Sequence, residues 1–123
     1  MMKKKGGIML NSVMLVGRIA QDIELQTLES GKEVTNVCLA VNRGYKNPDG
    51  LYETDFIDCV LWEGLAKNIH EYCHKGDTIG VRGRIQTSSY EKDGIKHKAV
   101  DVLVDKITFL SSSRKNEIQE VGE

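Results

Sequence analysis

Four aromatic side chains, Tyr45, Phe56, Trp62 and Tyr90, stand where a hydrophobic core has no obvious use for them. Between Glu53 and Trp62 the apolar residues Ile57, Cys59 and Leu61 hold the odd positions of a two-residue alternation. Phe56 and Trp62 therefore project from the opposite face, about 20 Å apart at ~3.3 Å per residue. Asp58 between them marks that face as wet. Tyr90 shares its parity with Arg82, Arg84, Gln86 and Ser88, opposite to Ile79, Val81 and Ile85, which are expected to point inward. Tyr45 follows Arg43 at the start of a turn-rich segment, a position suited to contact. Rings interleaved with cations on an outward sheet face suit single-stranded nucleic acid, because bases stack on the rings while the cations follow the phosphates. Each stacked base is worth ~1–3 kcal/mol and is bound with little regard to sequence. Phe56 and Trp62 would equally serve to cover a helix or to build a subunit interface, and parity alone leaves both open.

Other chemistries find less support. No nucleophile–base pair, paired carboxylates or phosphate-cradling loop is present, and Asp101 and Asp105 alternate with apolar neighbours as ordinary outward residues of a strand, so no enzyme is expected. His70-x-x-Cys73-His74 has the spacing of helical metal ligands but no fourth ligand nearby, so no metal or other cofactor is expected and the histidines read as surface residues. Cys38, Cys59 and Cys73 are too widely spaced for a zinc knuckle and odd in number for a disulfide framework; they read as small buried hydrophobes.

The elements that must position these residues are mostly strands. At 123 residues and 28% charged, the chain has the size and composition of one soluble domain. No apolar run approaches the ~20 residues of a membrane span, and the basic start has no signal-peptide core behind it, so a cytoplasmic location is expected. Residues 1–8 and 111–123 lack apolar periodicity and read as flexible ends around a folded unit of residues 9–110. That unit carries 12 basic and 15 acidic groups, so any anion site must be local. Alternation predicts strands over Met9 to Ala20 (Val13, Leu15 and Ile19 inward), Glu33 to Arg43 (Val37, Leu39 and Val41 inward), Glu53 to Trp62, Thr78 to Tyr90 and Lys98 to Leu110. One amphipathic helix, Glu63 to Lys75, is ended by Gly76 and buries Leu65, Ala66, Ile69 and Cys73. Turn chemistry sits at Glu29-Ser30-Gly31-Lys32, Asn47-Pro48-Asp49-Gly50 and Lys92-Asp93-Gly94. Five strands with one helix between the third and fourth suit an all-β, five-stranded Greek-key OB barrel.

Several short blocks resemble the bacterial single-stranded DNA-binding protein family. They are Met9-Leu10-Asn11, Val13, Leu15-Val16-Gly17-Arg18, Asp22, Glu24-Leu25, Leu39-Ala40-Val41-Asn42-Arg43, Asp55-Phe56-Ile57, Val60-Leu61-Trp62, Leu65-Ala66, Lys75-Gly76 and Gly83-Arg84-Ile85-Gln86-Thr87, all in order over Met9 to Leu110. The resemblance implies an OB-fold homotetramer, nucleoid-associated, that wraps single-stranded DNA without sequence preference in replication, recombination and repair, with no catalysis and no cofactor. It maps the family's stacking aromatics onto Tyr45, Phe56, Trp62 and Tyr90, the four residues that parity selects. Arg18, Arg43, Arg82 and Arg84 are expected to meet phosphates, with Arg82 the one that strand twist could turn toward a neighbouring subunit.

The chain departs from the family in three places. Gln86, Ser88 and Ser89 stand where relatives carry more arginine; Lys96 and Lys98, with Lys92, are expected to compensate, although hairpin lysines also serve solubility, and Lys46 and Lys67 are open to the same two readings. The stretch Arg114 to Glu123 lacks the family's acidic tip with proline and phenylalanine, as in a truncated chain or a tailless plasmid, phage or accessory form, which puts recruitment of replication and repair proteins in doubt. Lys5-Gly6-Gly7-Ile8 is what a ribosome-binding sequence encodes when read in frame, with Met9 then the start; remnants of an expression tag are the other source. A competing reading from another class is an OB-fold protein-interaction module of the primosome-accessory type.

Overall fold

The structure, a computed structural model, describes residues 9–112; the expectations for residues 1–8 and 113–123 lie outside the described residues. Strand β1 (Val13–Ile19) is followed by the two-residue β2 (Gln26–Thr27), then β3 (Glu33–Lys46), β4 (Tyr52–Trp62), helix α1 (Glu63–Tyr72), β5 (Thr78–Lys92) and β6 (Ile95–Ser111). The five long strands are the five expected from alternation, and β2 is a short addition that pairs with the start of β3. The sheet order is β1-β5-β6-β4-β3-β2, and a further pairing of β1 with β3 closes it into a barrel. All pairings are antiparallel except β4 with β6.

Alternation places the core. Ile19, Val37, Leu39, Cys59, Leu61, Ile79, Val81, Val102 and Val104 fill the barrel, and Ala66, Ile69 and Cys73 close one end of it from α1. Two glycines allow strands to approach where a side chain would not fit. A Cβ on Gly17 would collide with the carbonyl oxygen of Ala40, where β1 passes from β5 to β3, and one on Gly83 would overlap the carbonyl oxygen of Leu103. Opposite Gly83 the β5–β6 register slips, with Arg82 paired to Lys106 and Gly83 to Val104, leaving Asp105 as an extra residue that bends β6.

Three expectations need correction. Cys38, expected to be buried with Cys59 and Cys73, is only half-buried and stands on the outward parity of β3, opposite Asp58. Ile85 has the inward parity but is 47% exposed. Past Gly83 strand β5 has lost β1, whose pairing ends at Val13, and the ribbon it forms with β6 runs on without an opposing layer. There the Asn11 side chain takes the place of a strand: its amide donates to the Ile85 carbonyl at 2.9 Å and its oxygen accepts the Ile85 N–H at 2.8 Å. The helix also ends at Tyr72, short of Lys75. Cys73 adopts extended dihedrals, which turns its thiol into the core, and the buried Asp77 carboxylate accepts the His74 N–H at 2.8 Å. The Asp93-Gly94 pair, with φ of 56° and 77°, makes the two-residue turn between β5 and β6, as the primed hairpin turns require.

Two outcomes follow for stability. Gly83→Ala should cost at least about 2 kcal/mol in urea unfolding, because backbone rather than a flexible side chain blocks the new methyl group. Burial pushes the Cys59 thiol up to about 12, with smaller contributions from nearby Asp58, Cys38 and Asp101. Unfolding releases it to its ordinary value of 9.0, so the stability it contributes is complete below pH 9 and lost as pH rises toward 12. The urea midpoint should therefore fall between pH 8 and pH 10.5, and fall less steeply in Cys59→Ala.

Candidate nucleic-acid interface

The outward face of β3 and β4 is built by direct cross-strand pairs. Phe56 lies opposite Ala40, Thr54 opposite Asn42 and Asp58 opposite Cys38. Because Ala40 is small, nothing on β3 covers the Phe56 ring, which is 66% exposed. One strand further over, Arg18 of β1 pairs with Ala40, so Arg18, Ala40 and Phe56 form a row across three strands, about 10 Å long at ~4.8 Å per strand. Val16, Gly17, Arg18, Asn42 and Thr54 line a shallow groove beside the ring, and the Thr54 hydroxyl donates to Asn42 Oδ1 at 2.8 Å. Trp62 closes the same face of β4 as the N-cap of α1. Glu63 after it adopts a left-handed φ of 54°, which swings the chain sharply from strand into helix and leaves the Trp62 indole outside, 38% exposed.

A second aromatic surface lies on the β5–β6 ribbon. Tyr90 pairs with His97, and the two rings stack with centroids 5.3 Å apart and planes 21° from parallel. Arg84, Gln86, Ser88 and Tyr90 share this face, as their parity predicts, because the pairing from Gly83 to Lys92 runs without a break. Lys96 and Lys98 pair with Glu91 and Ser89, so they stand on the reverse face of the ribbon from Tyr90.

The arginines divide into two kinds. Arg43 donates to Glu53 Oε1 and Asp55 Oδ1, both at 2.9 Å, and this fork holds the Asp55 carboxyl below its usual range while raising the Arg43 guanidinium. Tyr45 lies within electrostatic reach of that guanidinium. Arg43 and its two carboxylates have the inward parity of their strands and flank the hairpin tip opposite to the side that Phe56 faces. Arg82 donates to Asp105 at 2.9 Å, on an outer surface of β1, β5 and β6 that also exposes Met14, Val16 and Leu110. Among the described residues Arg18 and Arg84 make no salt bridge. The structure thus gathers Phe56, Trp62 and Arg18 on one face and Arg84 with Tyr90 on another. It sets Tyr45 with Arg43, and Lys96 with Lys98, apart from those rings.

Two further aromatic residues on these two faces, Tyr52 and His97, are not singled out in the sequence analysis. His97 was accessible from the turn: with Asp93-Gly94 as its two central residues, position 90 must oppose 97. Tyr52 was accessible from spacing, since it lies four residues before Phe56 on the same strand. Among the described residues no group of three or more His, Cys, Asp or Glu side chains is arranged to hold a metal ion.

Fold and surface together define an OB-barrel binding domain. Residues 10–110 match the single-strand binding protein family. The chain is 46% identical over 103 residues to single-stranded DNA-binding protein B of Bacillus subtilis, covering 83% of this chain and 91% of that protein. Against single-stranded DNA-binding protein 1 of Staphylococcus aureus the identity is 42% over 113 residues, covering 91% and 72%. A Plasmodium falciparum SSB, solved in complex with ssDNA, has the same fold, with a TM-score of 0.78 at 23% identity over 89% of this chain and all of that one. The chain belongs to the single-strand binding protein family.

The Tyr90–His97 stack makes a local prediction. His97→Ala should remove the ring-current shifts of the Tyr90 ring protons and loosen the end of the ribbon by ~0.2–1 kcal/mol, the range of a cross-strand pair. Amide exchange between residues 88 and 99 should speed up while exchange in the barrel stays unchanged.

Proposed function

We propose that this protein binds single-stranded DNA without sequence preference and protects it in replication, recombination and repair, with residues 9–110 as the binding unit. The observation that carries this reading is the exposure of Phe56, Trp62 and Tyr90 on sheet faces, with Arg18 in the row of Phe56 and Arg84 on the face of Tyr90, neither in a salt bridge among the described residues. Exposed rings cost hydration and return nothing to the core, whereas every nucleobase offers a face to stack on them. The β3–β4 wall and the β5–β6 hairpin are also where OB barrels take up oligonucleotides. Family membership agrees with a binding role and with the absence of catalysis.

In this reading bases stack on Phe56, Trp62 and Tyr90, and phosphates pass Arg18 and Arg84. Tyr45 and Arg43 meet the strand where it rounds the hairpin tip, and Lys96 and Lys98 where it crosses the ribbon edge. Arg43 and Arg82 contribute less charge to the DNA, since carboxylates already hold them. The protein assembles as a homotetramer, a reading supported by the apolar outer surface of Met14, Val16 and Leu110, which a second copy would cover. No helix among the described residues is long and apolar enough to cross a membrane.

Titration of Trp62 fluorescence with oligo-dT tests the central claim, duplex DNA serving as control. Strong quenching by the single strand alone is expected, weakening as salt rises. Phe56→Ala and Trp62→Ala should each cost ~1–3 kcal/mol of binding while the fold is retained. Arg18→Ala and Arg84→Ala should each lower the salt slope by ~0.7, the single-strand value per phosphate contact, and Arg43→Ala and Arg82→Ala by less. Absence of binding by the wild type would refute the reading.

A further inference from the structure

The tip of the β3–β4 hairpin carries an aromatic ring that the reading above does not use. Tyr52 is 60% exposed and opens β4 with the parity of Thr54 and Phe56, so its ring looks out from the face that carries Phe56. The two Cα positions are about 13 Å apart at ~3.3 Å per residue, enough for at least one intervening nucleotide. Its cross-strand partner is Lys46, whose ammonium sits 5.7 Å over the Tyr52 ring centroid. Lys46 reaches this position because β3 carries three residues between Asn42 and Lys46, two more than the single Glu53 between Thr54 and Tyr52 on β4. Tyr45, of the opposite parity to Lys46, lies within electrostatic reach of Arg43. At this tip, then, the ring on the Phe56 side with a cation beside it is Tyr52. No carboxylate engages the Lys46 ammonium among the described residues, in contrast to Arg43.

We propose that Tyr52 and Lys46 form a further subsite for single-stranded DNA, in which a base stacks on the Tyr52 ring and Lys46 takes the adjoining phosphate. The cation–π contact holds the ring in its outward position when the subsite is empty. An arriving base displaces the ammonium from the ring face, and the phosphate it brings offers the ammonium a stronger partner than the ring. The subsite extends the line of Trp62 and Phe56 to the end of the hairpin. It rests on the reading that this face binds single-stranded DNA.

The test compares oligo-dT binding by the wild type, Tyr52→Ala, Tyr52→Phe and Leu51→Ala, read through Trp62 fluorescence, with Phe56→Ala alongside. Tyr52→Ala is expected to bind at least fivefold more weakly, Tyr52→Phe to restore binding because stacking needs the ring and not the hydroxyl, and Leu51→Ala to match the wild type. Tyr52→Ala binding like the wild type while Phe56→Ala is weakened would overturn the subsite and leave the wider reading intact. Equal losses in Tyr52→Ala and Leu51→Ala, or in Tyr52→Ala and Tyr52→Phe, would overturn it too. Failure of every form, wild type included, to bind oligo-dT would overturn both.

Discussion

Strand β1 has to hydrogen-bond along both edges within seven residues, to β5 over most of its length and to β3 at Arg18 and Ile19. The rest of the structure depends on that double pairing, because it turns an open sheet into a barrel with a single interior. Closure requires the β1 and β3 backbones to approach at Gly17, which is why the residue there has no side chain. Closure also decides which residues can serve a ligand. Once Ile57, Cys59 and Leu61 are committed to the interior, their alternating neighbours are forced outward, and Arg18 is carried to within two strands of Phe56.

Charge is organised locally and not by net excess. The folded unit is acidic on balance, yet several carboxylates are spent on particular cations: Glu53 and Asp55 on Arg43, Asp105 on Arg82, Glu33 on Lys67. These pairs neutralise the Arg43 side of the β3–β4 hairpin tip and the Arg82 surface of β5, leaving Arg18 in the row of Phe56 and Arg84 on the face of Tyr90 without a salt bridge among the described residues. Exposed ion pairs of this kind add little stability. Their effect is to decide where positive potential remains.

Much of the fold was legible because alternation is strict wherever two layers face each other. The parities of β1, β3 and β4 follow from Leu15, Leu39 and Leu61 and their neighbours, and the outward direction of Phe56 and Trp62 follows with them. Legibility failed where a layer ends. Ile85 obeys the inward parity, but nothing in its own neighbourhood reveals that β1 stops pairing at Val13 and leaves it uncovered. The helix end was missed because Gly76 resembles a terminator, whereas the chain leaves the helix at Cys73 to deliver a thiol to the core. The partners of Arg43 and Arg82 were hidden for a related reason: one depends on hairpin register and the other on the slip at Asp105, and neither is a property of local spacing. Tyr52 and His97 needed only an alternation carried two turns of the pleat further and a turn counted outward.

The ribbon beyond Gly83 differs mechanically from everything else in the molecule. It is a cantilever: two strands fixed at the barrel by the close approach to Leu103, steadied on one side by the Asn11 amide, and free beyond that. A two-stranded ribbon twists and bends at far lower cost than a closed wall. The Tyr90–His97 platform therefore rides on a compliant arm, whereas Phe56 and Trp62 are mounted on a rigid surface. A flexible polymer laid across both would be gripped at fixed points on the wall and followed by the arm, so that irregularities in its path would be absorbed by bending of the ribbon without loss of contact at the wall.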